Sequence, residues 1–461
     1  MNRSNDQTME YQQIHFVGIG GVSMSALAEI MHLRGTKVTG SDNSESPAVA
    51  HLREIGIPVW HGHRASQVEG ADLVVYTAAI PQNNVELAAA REKGIPVVER
   101  AVFLGWLLKG YAYPIGVSGT HGKTTCTSMI SQILLQAALD PTILIGGTFP
   151  LIGGNYQVGS SPYVVYEACE YVDSFLNFTS FVTVILNIEE DHLDYFSGID
   201  AIRSSFLSYA RLTLPGGCLI ANGDDPNVAL LLKEYEGKRL VYSLKDSSAD
   251  YYARPLPSSG GITSFEIMEA GQSAGTCRLN VPGRHNMMNA LAASAAARAV
   301  GVSWDVILTA LSAFGGAKRR FEAKGTLHGV PVFDDYAHHP SEIAATLRAA
   351  RERNPKRLIC LFQPHTYSRT KALWKEFAAS LALADLPVLL DVYAAREAPD
   401  PEVSSEALAK EIPNAHYAPS FEEAEAFLSH SLQEGDLLIT MGAGDVYKVG
   451  ELLLAEEAPN V

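Results

Sequence analysis

The stretch YPIGVSGTHGKTTCTSMISQILLQAAL, residues 113–139, decides how the rest of the chain is read. Its apolar opening predicts a strand, its glycines a tight loop, and the segment after Lys123 a helix. At such a junction the loop amides, the Lys123 ammonium and the Thr124 hydroxyl converge on one point, an arrangement that suits a triphosphate and its Mg²⁺. The nucleotide loop is therefore Gly119, Thr120, Gly122, Lys123, Thr124 and Thr125. The match to G-x-x-x-x-G-K-[ST] is incomplete, because Val117 stands where the first glycine belongs, and a chance match is the competing reading.

Upstream, IHFVGIGG, SALAEIMHLRG, KVTGSD and ADLVVYTAAI alternate β-branched runs with helical ones, which predicts a parallel α/β sheet. The loop Gly18, Gly20, Gly21, Ser23 follows the first strand, and Asp42 ends the next, as in a dinucleotide fingerprint. Ser23 replaces the third glycine, so a diphosphate ligand is expected more than a nicotinamide cofactor; plain helix-strand packing is the alternative. Downstream, VPVFDDYAHHP, KRLICLFQPHTYSRT, LPVLLDVYA and DLLITMGAGD are four apolar runs ending in polar or glycine residues. They predict strands whose ends face one cleft. The expected fold class is α/β in three domains: a Rossmann-like domain over 1–110, a central P-loop ATPase domain over 111–316, and a Rossmann-like domain over 317–461.

Composition narrows the function classes. The 461 residues are 47% hydrophobic and 19% charged, enough for several buried cores. A net charge of −16 argues against nonspecific nucleic-acid binding, which needs a basic surface. The richest apolar stretch, residues 141–154, is broken by prolines and glycines, so no membrane span is expected. The start of the chain is polar and carries Asp6 and Glu10, unlike a signal peptide. Cysteines 126, 169, 218, 277 and 360 are too scattered for a disulfide framework or a metal site, which fits a cytoplasmic protein.

Two acidic strand ends follow the nucleotide loop. VVYEACEYVDSF carries Glu167, Glu170 and Asp173, and LNIEEDHLDYF carries Glu189, Glu190, Asp191, His192 and Asp194. Either is a metal or substrate edge, or a solvated acidic loop. GRHNMMN, residues 283–289, supplies groups able to read an adenine edge, or simply a helix cap at Asn286. Arg319 and Arg320 either neutralise a terminal phosphate or decorate a linker.

GIGGVSMSALAEI, GTHGKTT, the EAxE segment, NIEEDHLD, GRHNMMNALAA, RRFE, DDYAHHPSEI, FQPHTYSRT and GAGD, in this order over nearly the whole chain, resemble the Mur ligases, and among them the L-alanine-adding branch most. The resemblance implies ATP-dependent joining of L-alanine to the lactyl carboxylate of UDP-N-acetylmuramate through an acyl phosphate, in peptidoglycan precursor synthesis. It implies that Gly18, Gly20, Gly21, Ser23 and Asp42 serve the UDP-sugar. Lys123 meets the ATP phosphates; Thr124, Glu167 and His192 hold Mg²⁺; His285, Asn286 and Asn289 take the adenine. Arg320 faces the γ-phosphate, and Asp335 meets the ribose from a C-terminal domain that closes over ATP. His339, His365 and Arg369 line the amino-acid side. Lys123, His192 and Arg320 would carry the chemistry. ATP, UDP-N-acetylmuramate and L-alanine are the implied partners, with no nucleic acid or membrane, and with monomer and homodimer both open.

Three features set the chain apart within that family. By the same resemblance, Phe206 stands where many Mur ligases carry a carbamylated lysine, which the alanine-adding branch commonly lacks. Cys169, Tyr171 and Val172 depart from an EADESDGSF-like segment, and Thr366 replaces a usual arginine, which leaves amino-acid selectivity open. A ligase that adds a whole tripeptide, an NAD-dependent oxidoreductase and a nucleotide-binding regulator are the alternatives.

Overall fold

The computed structural model describes residues 7–257, 261–395 and 397–455. Asp6, used above against a signal peptide, lies outside them. The architecture is α/β in three domains, built on parallel sheets.

The first sheet contains β1 (Gln13–Val17), β2 (Lys37–Asp42), β3 (Val59–His61), β4 (Leu73–Tyr76) and β5 (Val97–Glu99) in the order 3-2-1-4-5, all parallel. The chain reverses direction of travel across the sheet at β1 and β4, and ligands of open α/β sheets bind outside the strand ends at such a point. The loop beginning at Gly18 leaves β1 there. Ile14, Phe16 and Val17 are fully buried, so β1 is covered on both faces.

Next come β6 (Tyr113–Ser118), β7 (Thr142–Phe149), β8 (Gly154–Gln157), β9 (Tyr163–Glu167), β10 (Ser180–Ile185), β11 (Thr213–Asn222) and β12 (Arg239–Ser243). They lie in the order 8-7-9-6-10-11-12, parallel except for the β7–β8 hairpin. β6 sits between β9 and β10, and the helix Lys123–Gln136 follows it. The strands β13 (Tyr251–Pro255), β14 (Thr263–Glu269) and β15 (Gln272–Leu279) form an antiparallel meander that the sequence reading did not anticipate.

The third sheet holds β16 (Glu322–Leu327), β17 (Val330–Asp335), β18 (Leu358–Phe362), β19 (Leu386–Leu389), β20 (His416–Tyr417) and β21 (Leu437–Met441), in the order 16-17-21-18-19-20. The four apolar runs read from the sequence are β17, β18, β19 and β21. β16, antiparallel to β17, and the two-residue β20 are additional. One face carries Leu358, Cys360 and Phe362, the other Ile359 and Leu361, each in its own apolar cluster.

The described residues form two compact units. One runs to Glu189 and includes Ile199–Tyr242 and Ala292–Ile307; the other comprises Glu190–Gly198, Ser243–Leu291 and the residues from Leu308 onward. No helix among the described residues is long and apolar enough to cross a membrane.

Candidate active site

In the first unit, the loop after β1 is shaped by backbone and one acid. Gly18 takes a left-handed backbone (φ 80°), and the amides of Gly18 and Ile19 both donate to the Ser41 carbonyl, at 2.8 and 3.0 Å. Gly20 donates to Asp42 Oδ2 at 2.8 Å, while Asp42 Oδ1 accepts from the Ser44 amide and hydroxyl. A Cβ on Gly20 would lie 2.8 Å from Val49 Cγ2 and 3.0 Å from that same carboxylate oxygen, so glycine is required by close approach. The helix Val22–Leu33 then starts at Gly21 with no side-chain cap, and Gly21 and Ser23 are exposed. Uncapped amides at a helix N-terminus are a ready anion site.

The second loop follows β6. Gly119 (φ 148°) passes over Leu186, whose Cβ would stand 2.9 Å from an added side chain, and Gly122 (φ 84°) is the left-handed N-cap of the helix Lys123–Gln136. Asn187 brackets the loop: its Oδ1 accepts from the His121 amide at 2.7 Å, and its Nδ2 donates to the His121 carbonyl at 3.1 Å. The Thr120 hydroxyl accepts from the Glu189 amide at 2.9 Å. Lys123 folds back over the loop, donating to the Gly119 and Thr120 carbonyls and to both oxygens of Glu170, at 3.0 and 2.9 Å. Burial alone would push this ammonium down, but the Glu170 carboxylate more than offsets it and the group stays charged, raised above its ordinary value.

Thr124 and Glu167 share a flank with the glycine pair of β7. The Gly146 amide donates to Glu167 Oε1 at 2.7 Å, and a Cβ there would lie 3.0 Å from Oε2. A Cβ on Gly147 would lie 3.1 Å from Thr124 Cγ2. A hydroxyl and a carboxylate held this way are hard oxygen donors of the kind Mg²⁺ prefers. Thr125 is buried beside Thr124.

The second unit holds the remaining predicted residues. His192 has a left-handed backbone (φ 53°), and its amide donates to Asp191 Oδ1 at 2.8 Å. The same carboxylate accepts from Arg369 Nη2 at 2.9 Å. Burial would push Asp191 up, but the Arg369 guanidinium and His192 hold it well below the usual carboxylate range. Arg369 also lies 3.3 Å from His365 Nδ1, and His365 stacks on Tyr393. His339 opens the helix Pro340–Arg351; its Nδ1 meets Ser341 Oγ at 2.8 Å and its Nε2 lies 3.2 Å from the Glu190 carbonyl. Thr366 has φ 67° and its amide is bound to the Tyr393 carbonyl.

The two arginines of RRFE divide their tasks. Arg319 donates to Asp334 and to the Gly442 carbonyl of the GAGD turn, between the rings of Tyr336 and Tyr447. It is a structural tie. Arg320 lies over Tyr336, with its guanidinium 5.2 Å from the ring centre. Asp335 ends β17, accepting from the Phe321 and Ala337 amides at 2.8 Å each; burial pushes its carboxyl up to about 6 against the pull of Arg320. His285 is pushed down to about 4 by burial, opposed by Glu342 and aided by Arg320. Asn286 does not cap its helix. It lies inside Arg284–Ala299, donates to the Pro282 carbonyl at 2.7 Å, and has Asn289 beside it at 3.3 Å.

Among the departures, Phe206 is fully buried, edge-on to Phe175, so no lysine chemistry is accommodated there. Cys169, Tyr171 and Val172 are exposed, and Val172 and Asp173 both have positive φ, 48° and 56°. Asn187, Glu170 and Asp191 are the residues whose structural tasks sequence reading left unstated. Each stood inside a quoted motif, but the partner lies far along the chain.

Three family models match: Mur ligase family, catalytic domain, over residues 13–112; Mur ligase middle domain over 117–297; and Mur ligase, glutamate ligase domain, over 319–444. The chain is 50% identical over 447 residues, 96% of its length and 97% of the relative's, to the UDP-N-acetylmuramate--L-alanine ligase of Agathobacter rectalis, and 48% identical over the same shares to that of Clostridium novyi. It superposes on the UDP-N-acetylmuramate-alanine ligase of Thermotoga maritima with a TM-score of 0.79 at 30% identity, covering 96% of this chain and 98% of that one. On a murein peptide ligase of Psychrobacter arcticus the TM-score is 0.70 at 26% identity, covering 98% and 99%. Its loops, its sheets and these matches along nearly its full length make one statement: the chain belongs to the Mur ligase family.

Proposed function

We propose that this chain joins L-alanine to the lactyl carboxylate of UDP-N-acetylmuramate, with ATP converted to ADP and phosphate, in the cytoplasmic synthesis of peptidoglycan precursors. The observation that carries the reading is the loop Gly119–Thr125. Its lysine is kept charged at the first turn of an uncapped helix, in a chain whose relatives bear that ligase name.

The chemistry has two steps. The γ-phosphoryl group passes from ATP to a carboxylate oxygen, giving an acyl phosphate and ADP. The neutral amine of L-alanine then attacks the acyl carbon, phosphate leaves, and the ammonium formed loses a proton to give the amide. The protein binds, orients and excludes water; no covalent enzyme intermediate is needed. In the first unit, Gly18, Gly20, Gly21, Ser23 and Asp42 serve the UDP-sugar. Gly119, Thr120, Gly122, Lys123, Thr124 and Thr125 serve the ATP phosphates, and Thr124 and Glu167 offer oxygens to Mg²⁺. In the second unit, His192 is the further metal-side residue and His285, Asn286 and Asn289 serve the adenine. There too Arg320 serves the γ-phosphate, Asp335 the ribose, and His339, His365 and Arg369 the amino acid. Bound Mg²⁺ would offset negative charge on the phosphates. On this reading residues 1–110, 111–316 and 317–461 are the UDP-sugar, ATP and amino-acid domains.

Phosphate release with Mg²⁺ and ATP tests the reading, with UDP-N-acetylmuramate present and L-alanine, glycine, L-serine or the tripeptide added in turn. Release that needs both the UDP-sugar and L-alanine is the expected result. Release with the tripeptide alone would assign the tripeptide-adding ligase reaction instead, and nucleotide binding with no release would leave a regulator.

A further inference from the structure

Behind the first glycine loop lies a set of ionisable side chains that the reaction above leaves without a task. Glu86, fully buried in the first turn of the helix Val85–Glu92, accepts from the Ser41 hydroxyl at 2.6 Å and lies 3.0 Å from His63 Nδ1. On its other side, Oε1 faces His15 Nε2 at 3.5 Å without forming a hydrogen bond, while His15 Nδ1 meets Thr39 Oγ1 at 2.9 Å. Two neighbouring strands (β1 and β2), the turn after β3 and a helix N-terminus therefore converge on one carboxylate.

A carboxylate taken wholly out of water is costly unless its partners are fixed around it. Burial would push Glu86 up, yet the facing His15 ring and the bonds from Ser41 and His63 hold it below its ordinary value, so it is a charge and not a neutral acid. Anchoring the helix does not require it, because Asn84 already caps that terminus, accepting from the Glu86 and Leu87 amides at 2.9 and 3.4 Å.

What Glu86 does reach is the loop. Ser41 is the joint between them: its hydroxyl donates to Glu86, and its carbonyl accepts the amides of Gly18 and Ile19. His63 is the second arm. Its Nδ1 is shared by Ser41 Oγ and Glu86 Oε2, each at 3.0 Å, and among the described residues none bonds its Nε2. The His63 side chain is 11% exposed, and its Nδ1 edge is the one held by the cluster.

We propose that Glu86 is the positioning residue of the diphosphate loop: through Ser41 it fixes the Gly18–Ile19 backbone, and through Nδ1 it fixes His63, so that loop and ring are presented preformed to an anionic ligand. The inference rests on the reading above that this loop takes the diphosphate of the UDP-sugar. Preorganisation of this kind acts on affinity, because a loop already in its bound shape loses less freedom when the ligand arrives.

Glu86→Gln in the full chain keeps the side chain's size and one acceptor oxygen but removes the charge. Titration calorimetry with UDP should show binding weakened about tenfold or more, and KM for the UDP-sugar should rise by the same factor. KM for ATP and kcat at saturating substrates should stay within about twofold, a split that a merely structural role would not produce. Ser41→Ala, which cuts the joint without touching the charge, should weaken UDP in the same direction and serves if Glu86→Gln does not fold. UDP binding unchanged in these variants would overturn the inference while leaving the UDP-sugar reading intact. A parallel loss for ATP and UDP-sugar would overturn it in favour of a general structural role. Failure of the wild-type chain to bind UDP would instead remove the reading on which it rests.

Discussion

The two glycine loops of the first unit open the same kind of helix and are held by acids in opposite ways. After β1, the acid grips backbone: Asp42 binds the Gly20 amide, and residues 18–23 include no lysine or arginine. After β6, the acid grips a side chain: Glu170 takes both of its oxygens to Lys123, and the loop carbonyls of Gly119 and Thr120 complete the hold. The first loop is shaped in advance and neutral in its reach. The second stores a charge paired with an acid, and on the proposed reading that charge changes partners to meet a phosphate. A loop that only binds can rely on amides, whereas a loop from which a phosphoryl group departs needs a charge to follow the developing one.

Four measurements test this contrast, and Lys123 carries the largest expected change. Lys123→Met should lower kcat about 10²–10³-fold, while KM for the UDP-sugar stays near the wild-type value. It should also cost about 3 kcal/mol of stability in chemical denaturation, because Glu170 is left buried without a partner. Adding Glu170→Gln should restore the stability and none of the turnover. Gly20→Ala is the mirror experiment. Its Cβ presses on Val49 and Asp42, so KM for the UDP-sugar should rise about thirtyfold with KM for ATP unmoved.

The third measurement uses pH. On the proposed reading Asp335, raised to about 6, accepts a ribose hydroxyl more strongly as a carboxylate than as the neutral acid, so its contribution to ATP affinity should fade as pH drops. The advantage of wild type over Asp335→Asn in KM for ATP should shrink about tenfold between pH 8 and 5, with no such change for the UDP-sugar. The sign for stability is opposite. The native state holds a proton that the unfolded chain releases near about pH 4, so this group's stabilising contribution is full below that pH and is lost as pH rises through about 6. Denaturation midpoints of wild type and Asp335→Asn should therefore diverge across that window. The smallest effect belongs to Asp42→Asn, which keeps an acceptor for the Gly20 amide; KM for the UDP-sugar should rise about threefold.

Both loops were legible in the sequence because each needs a particular residue type at a particular backbone position: Gly18 and Gly122 at positive φ, Gly20 at a close approach, Lys123 in a first turn. Apolar runs likewise located β17, β18, β19 and β21, since strands buried on both faces leave continuous hydrophobic stretches. What stayed illegible depends on long-range pairing. Glu170 reaches Lys123 across 47 positions and Asp191 reaches Arg369 across 178, and no local pattern encodes either. Nor did Arg319 differ from Arg320 by type; only the rings of Tyr336 and Tyr447 and the Gly442 carbonyl separate the tie from its neighbour. The meander of β13, β14 and β15 escaped because exposed alternation in QSAGTCRL is weak, and β20, two residues long, leaves no periodicity at all.

Phe206, sealed in an aromatic cluster with Phe175, has a consequence for the conditions under which the chain can work. A carbamylated lysine forms from its amine and dissolved carbon dioxide and depends on that carbon dioxide to stay intact. A phenylalanine takes up no carbon dioxide, so degassing the buffer or adding bicarbonate should leave the rate of this chain unchanged.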